Sequence, residues 1–167
     1  MAPLKRVALV VVTLLSCVGC DQKTKALARE ELRGRDTKSF LGDTFRLDYT
    51  ENPGGFLGVG ALLPTVWRTA LFTMGCSAGI AAILLYTLLT SQSGFCQVLA
   101  LSLIGGGGIG NIMDHWAYGY ARDFLNIWLG SVRTGIFNVA DVAVLAGCLL
   151  VLLTQAREKA ADRHDHI

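Results

Sequence analysis

Residues 67–89 read WRTALFTMGCSAGIAAILLYTLL and carry a single charge, Arg68. A helix needs about 20 predominantly apolar residues to cross ~30 Å of hydrocarbon. This stretch has that length, so the chain reads as an integral membrane protein. The composition agrees: 52% of the 167 residues are hydrophobic, and the mean hydropathy is +0.47. Gly75 and Gly79 have the G-x-x-x-G spacing that lets helix backbones approach closely, which predicts a packing edge on this span. A net charge of +2 is too small to point to nucleic acid.

Working outward, three more apolar segments complete a set of four spans at about 7–28, 67–89, 95–114 and 136–154. The first is apolar only from Val7 to Cys20 and reaches the interface by continuing through DQKTKALA. Four spans place both termini on one side. Lys5 and Arg6 before the first span, and Arg157, Lys159 and Arg163 after the fourth, make that side cytoplasmic by the positive-inside rule. In the external segment, residues 29–66, FRLDYT alternates Phe45, Leu47 and Tyr49 with Arg46, Asp48 and Thr50. A period of two is a strand signal. ENPGG then breaks the strand, and FLGVG is expected to return as a second one. Between spans three and four, Trp116, Tyr118, Tyr120 and Trp128 suit the bilayer interface, and a short interfacial helix is expected there. The fold class is an all-α membrane protein: four transmembrane helices, a small external β-sheet segment between helices 1 and 2, and one domain over 1–167. The end of the chain, AREKAADRHDHI, reads as a solvated tail whose His164 and His166 are not a metal site.

LLSCVGCDQKTK, residues 14–25, ends an apolar run on Cys20, as a lipoprotein signal does. The residue three before Cys20 is Cys17 rather than an apolar residue such as leucine, and three apolar spans follow. Cys20 is therefore read as the packing end of span one and not as a cleavage point. Cys17 and Cys20 form a lone C-x-x-C, read as helix-packing residues, and the five cysteines show no zinc spacing. GGGG at 105–108 lies inside an apolar span without a P-loop lysine, so it predicts close helix packing and not a phosphate cradle.

Charged groups in spans are costly, roughly 2.5–3.5 kcal/mol for an aspartate at a helix centre, so their placement is informative. Asp21, Lys25, Asn111, Asp114, Asp123, Asn138 and Asp141 all fall at the outer ends of spans, on one membrane face. Two aspartates held close together can share a proton, one activating water while the other polarises a carbonyl. Asp21 has Lys25 at i+4, which favours a structural ion pair. Asp114 has His115 beside it and reads as a helix-end or hydrogen-bonding group. Asp123 and Asp141 are the best remaining pair, with Arg122 the one obvious basic neighbour. The residues alone leave open which two carboxylates meet.

DQKTK (21–25), ENPGG (51–55), GGGGIGNIMDH (105–115), YARDF (120–124) and FNVAD (137–141) occur in this order with suitable gaps. Together they resemble the lipoprotein signal peptidase, or signal peptidase II, family over most of the chain. The resemblance implies an intramembrane aspartic endopeptidase of the bacterial inner membrane, its active site facing outward. The implied substrate is a prolipoprotein bearing a diacylglyceryl cysteine, cut before that cysteine. It implies Asp123 and Asp141 as the catalytic dyad, with Asn52, Gly54, Asn111, Asp114, His115, Asn138 and Ala140 binding substrate or supporting the site. Asp21 and Lys25 would stabilise it. No metal or cofactor is implied; the expected partners are the lipid-modified precursor and membrane lipids, with the protein a monomer.

Four positions depart from the family pattern. His115 stands where arginine is usual, Arg122 where an apolar residue is usual, Gly55 for a common alanine and Val142 for a frequent serine. Arg122 is expected to draw the pKa of Asp123 downward. Two other readings accompany the peptidase: a non-enzymatic four-span protein with structural Asp and Asn groups, and a divergent paralogue that resists an antibiotic aimed at the family.

Overall fold

The computed structural model describes residues 1–53, 62–90 and 94–164, without the side chains of 65, 68, 72, 158 and 160–164. Its elements run α1 (Pro3–Leu32), β1 (Lys38–Phe40), β2 (Phe45–Asn52), α2 (Thr65–Thr69), a wide π-turn segment (Ala70–Gly75), α3 (Cys76–Leu89), α4 (Phe95–Tyr118), β3 (Ala121–Leu129), β4 (Val132–Arg133) and α5 (Val139–His164). Three stretches, Pro3–Leu32, Phe95–Tyr118 and Val139–Arg157, are long and apolar enough to cross a membrane; Thr73–Leu89 is a shorter apolar helix. α1 runs through DQKTK without a break, and its 30 residues span about 45 Å. α5 continues to His164, so much of the expected solvated tail is helical. His166 and the expected strand at FLGVG lie outside the described residues.

α4 is the hub, packed against α5, α1 and α3. The reason is written in its glycines. A Cβ on Gly106 would sit 2.7 Å from Cys17 Cβ of α1, and one on Gly105 would sit 2.7 Å from Leu84 Cδ2 of α3. One on Gly107 would collide with the Ala140 carbonyl of α5. The expected packing role of GGGG thus holds on three sides. The G-x-x-x-G of the second apolar segment does not act this way. A Cβ on Gly79 would meet nothing within 4 Å, and one on Gly75 would meet only its own segment's Ala70 and Leu71. Close approach needs the partner helix to be near, and α4 brings its own glycines to that contact.

The polar cap of the bundle corrects two expectations. The residues after α4 form no interfacial helix: Ala121–Leu129 and Val132–Arg133 are strands, turning at Gly130 with φ +63°. They join β1 and β2 in one antiparallel sheet of order β1-β2-β3-β4. The fold is therefore a helical membrane protein with a four-stranded sheet, not all-α, and the sheet draws on both external segments. ARDFLNIWL carries β-branched and aromatic residues that fit a pleated surface, and pairing with β2 settles the outcome.

Strand β2 also departs from simple alternation. Leu47 pairs with Leu125, but Thr50 pairs with Asp123, so β2 spends one more residue than β3 between these pairs. This bulge reverses the parity of β2. Thr50 and Asn52 turn to the sheet side that carries Leu47 and Asp123. Phe124 packs with Ala28 and Leu32 of α1, and Leu47, Tyr49, Leu125 and Val139 pack against this cluster.

Candidate active site

Asp123 is carried by β3 and Asp141 by the first turn of α5, and a single residue binds both. Asn138 Nδ2 donates to Asp123 Oδ1 at 2.6 Å, and the Asn138 backbone N–H donates to Asp141 Oδ2 at 3.0 Å. Asn138 Oδ1 in turn accepts the Asp141 N–H at 3.0 Å. This reciprocal pair is a capping box built from Asn and Asp three residues apart. The device that starts α5 thus also brings its first carboxylate beside β3.

The other carboxylate oxygens are met by amides as well. Asn52 Nδ2 donates to Asp123 Oδ2 at 2.8 Å, a bond that depends on the β2 bulge. Asn111 Nδ2 donates to Asp141 Oδ1 at 2.9 Å. The orientation of Asn111 is fixed from behind. Its Oδ1 accepts from Lys25 Nζ at 2.8 Å and from Asn138 Nδ2 at 3.0 Å. An ammonium has no acceptor, so the amide nitrogen of Asn111 must face Asp141. Among the described residues, Asp123 and Asp141 form no ion pair.

Beneath this pair lies a second polar cluster. Lys25 Nζ is 2.8 Å from Asp21 Oδ2 and 3.4 Å from Asp114 Oδ2, with all three side chains fully buried. Asp21 Oδ1 accepts the backbone N–H of Ala140 at 2.9 Å, so a carboxylate of α1 caps the start of α5. A Cβ on Gly110 would sit 2.6 Å from Asp21 Oδ2, so this carboxylate needs the glycine opposite it. Arg122 grips Asp114 through Nη2 at 2.7 Å, Nε at 3.1 Å and its own backbone N–H at 2.9 Å. Gln22 Nε2 bridges Asp114 Oδ1 at 3.1 Å and Asp21 Oδ2 at 3.2 Å, while its Oε1 accepts from Arg122 at 2.8 Å.

The expected residues are therefore sorted by the structure. Asn52, Asn111 and Asn138 touch the Asp123–Asp141 pair. Asp21 and Lys25 form the expected ion pair. Ala140 is fully buried and contributes its backbone N–H to Asp21. Asp114 pairs with Arg122 and Lys25. His115 follows it, and its carbonyl accepts the Gly119 N–H at the end of α4. Gly54 lies outside the described residues. The expectation for Arg122 is overturned. Successive residues of a strand point to opposite faces, so Arg122 turns away from Asp123 and toward Asp114. Burial, opposed by the Asn52 hydrogen bond and reinforced by the Asp141 charge, pushes the Asp123 carboxyl up to about 7. Sequence reasoning gave Gln22 no role, and nothing in its spacing singles it out.

Beside Asp141 opens an apolar groove of about 380 Å³, lined by Ile127, Phe137, Val142 and Leu145 with the Arg133–Gly135 segment. No three His, Cys, Asp or Glu among the described residues cluster as a metal site. A buried and a half-buried carboxylate, held by amides next to an apolar groove, have the parts for acid–base hydrolysis.

The family described as "Signal peptidase (SPase) II" matches residues 13–157. The lipoprotein signal peptidase of Halothermothrix orenii is 32% identical over 157 residues, covering 92% of this chain and 100% of that one. That of Desulforapulum autotrophicum is 31% identical, covering 93% and 97%. A solved structure described as a bacterial membrane enzyme superposes with a TM-score of 0.82 at 19% identity, covering 93% of this chain and 92% of that one. Shared fold, near-complete coverage and these relatives agree: the chain belongs to the signal peptidase II family of aspartic peptidases.

Proposed function

We propose that this protein removes the signal peptide from diacylglyceryl-modified prolipoproteins, cutting the peptide bond before the lipidated cysteine, with Asp123 and Asp141 as the catalytic dyad. The observation that supports this most is the bracketing of both carboxylates by Asn138, with amide donors on all four oxygens and, among the described residues, no cation paired with either. The dyad shares one proton. Asp123, whose carboxyl is pushed up to about 7, carries it toward the scissile carbonyl. Asp141, at the start of a helix where negative charge is favoured, is the carboxylate. It takes a proton from water as the water oxygen attacks the carbonyl carbon, and Asp123 gives its proton to the carbonyl oxygen. Collapse of the tetrahedral intermediate breaks the C–N bond. The cysteine amine leaves with a proton from Asp141, the new carboxyl stays on the signal peptide, and Asp123 recovers its proton.

The apolar groove beside Asp141 receives an apolar part of the substrate. Asn52 holds Asp123 from the sheet side, and Gly54 and His115 take part in substrate binding in this reading. Four crossings of the bacterial inner membrane, with Thr73–Leu89 as the second, put both termini in the cytoplasm and the dyad at the outer face, where water and the lipid-tethered bond meet. The protein works as a monomer. The test is a gel-shift assay in detergent with a diacylglyceryl-modified precursor. Wild-type protein shifts the precursor to its mature size, while Asp123→Asn and Asp141→Asn remain folded and leave it uncut. Cleavage of precursor lacking the lipid at the same rate would overturn the substrate assignment.

A further inference from the structure

Side-chain amides link the dyad to the cluster beneath it. Lys25 is one amide away from Asp141 through Asn111, and the same Asn111 oxygen accepts from Asn138, which holds Asp123. Lys25 and Arg122 supply two positive charges; Asp21 and Asp114 supply two negative ones. Their pairings close the cluster on itself. Arg122 and Asp114 each have relative side-chain exposures of 5% or less, so little water is present to screen any imbalance.

We propose that Asp21, Lys25, Asp114 and Arg122 are positioning residues that work as a charge-neutral quartet, setting the pH range over which the Asp123–Asp141 dyad operates. This rests on the proposed function above. Among the described residues, the charged and titratable groups around the dyad include Asp21 and Lys25 from α1, Asp114 and the adjacent His115 from α4, Arg122 from β3, Glu51 from β2 opposite Arg122 and paired with Arg33 at 2.9 Å, and Arg133, which lines the groove with Asp141. Glu51 and Arg33 are partly exposed, so solvent weakens their influence. The quartet is the buried source of charge, and its sum is zero. Removing one member leaves a unit charge close to the dyad in a medium of low effective dielectric, enough to move its titration by roughly one to two pH units. The sign depends on which member goes. Loss of a cation holds the shared proton more tightly; loss of an anion releases it more easily.

The experiment is the pH–rate profile of precursor cleavage by the full-length protein in detergent. Two cation-removing variants, Lys25→Met and Arg122→Gln, are expected to shift the profile to higher pH. Two anion-removing variants, Asp21→Asn and Asp114→Asn, are expected to shift it to lower pH. Two variants of each sign are made so that one misfolded protein does not decide the result. The Lys25→Met/Asp114→Asn double variant restores neutrality and is expected to return the profile toward the wild-type position, even where its rate stays low. Rates that fall with the profile unmoved, or all variants moving in one direction, would overturn the proposal and leave a purely structural cluster. A wild-type protein that fails to cleave the lipid-modified precursor would instead overturn the proposed function.

Discussion

Four aspartates, three of them buried and Asp141 half-buried, sit near the sheet end of the bundle, and they fall into two unlike pairs. Asp21 and Asp114 contact cations: Lys25 lies between them, and Arg122 grips Asp114. Asp123 and Asp141 contact amides: Asn52, Asn111 and Asn138. A cation favours the ionised carboxylate more strongly than neutral donors do, so at Asp123 burial and the charge of Asp141 outweigh the amide donors and raise the carboxyl. Residue type does not assign the role here. The partners do, as in other sites where environment pushes two carboxylates apart.

Substituting one aspartate in each pair separates the two roles by rate and by stability. Asp123→Asn or Asp141→Asn is expected to lower the rate of precursor cleavage by ~10²–10⁴-fold, with thermal unfolding in detergent showing a folded protein. Asp114→Ala is expected to lose stability first. It leaves Arg122 and Lys25 buried without this partner, which costs about 3–5 kcal/mol and is read as a large drop in Tm. Equal loss of stability in the two pairs would erase the distinction.

Asp123 titrates in the folded protein at about 7, above the ~3.9 of an unfolded aspartate. The folded state therefore binds more protons between these values. The contribution of Asp123 to stability is fully present below pH 4, declines as pH rises through 7 and is flat above, by up to roughly 4 kcal/mol. Asp123→Asn removes this slope, so its Tm relative to wild type is expected to be higher at pH 8 than at pH 4.

A smaller effect is expected from Asn52→Ala, which removes one donor from Asp123. A hydrogen bond to a neutral carboxyl is worth about 0.5–1.5 kcal/mol, and the change is expected in kcat more than in KM. The smallest is expected from Asp43→Asn. Hydrogen bonds from Arg46 and Ser39 hold the Asp43 carboxyl down at about 2. A depressed pKa favours the fold above an unfolded aspartate's pKa, and that benefit is lost only as pH falls toward 2. Cleavage between pH 6 and 8 is expected to be unchanged, since this turn lies outside both aspartate pairs.

Much of this was legible in the chain itself. The apolar runs around residues 14, 80, 100 and 145 predict membrane helices because hydrocarbon length and composition are local properties. Asp21 and Lys25 predict their own ion pair because i and i+4 share a helix face, and Asn138 and Asp141 share a turn for the same reason. Tertiary structure decided the rest. It converted the expected interfacial helix after α4 into β3 and β4, because β2 offers an edge to pair with. It put one extra residue into β2, which turned Asn52 toward Asp123; no alternation pattern announces such a bulge. It aimed Arg122 at Asp114 and away from Asp123, because a strand sends neighbouring side chains to opposite faces. Sequence spacing names the groups that charge and hydrogen bonding can use within one turn or one strand. Which carboxylate meets a cation and which meets an amide is set by contacts between elements far apart in the chain.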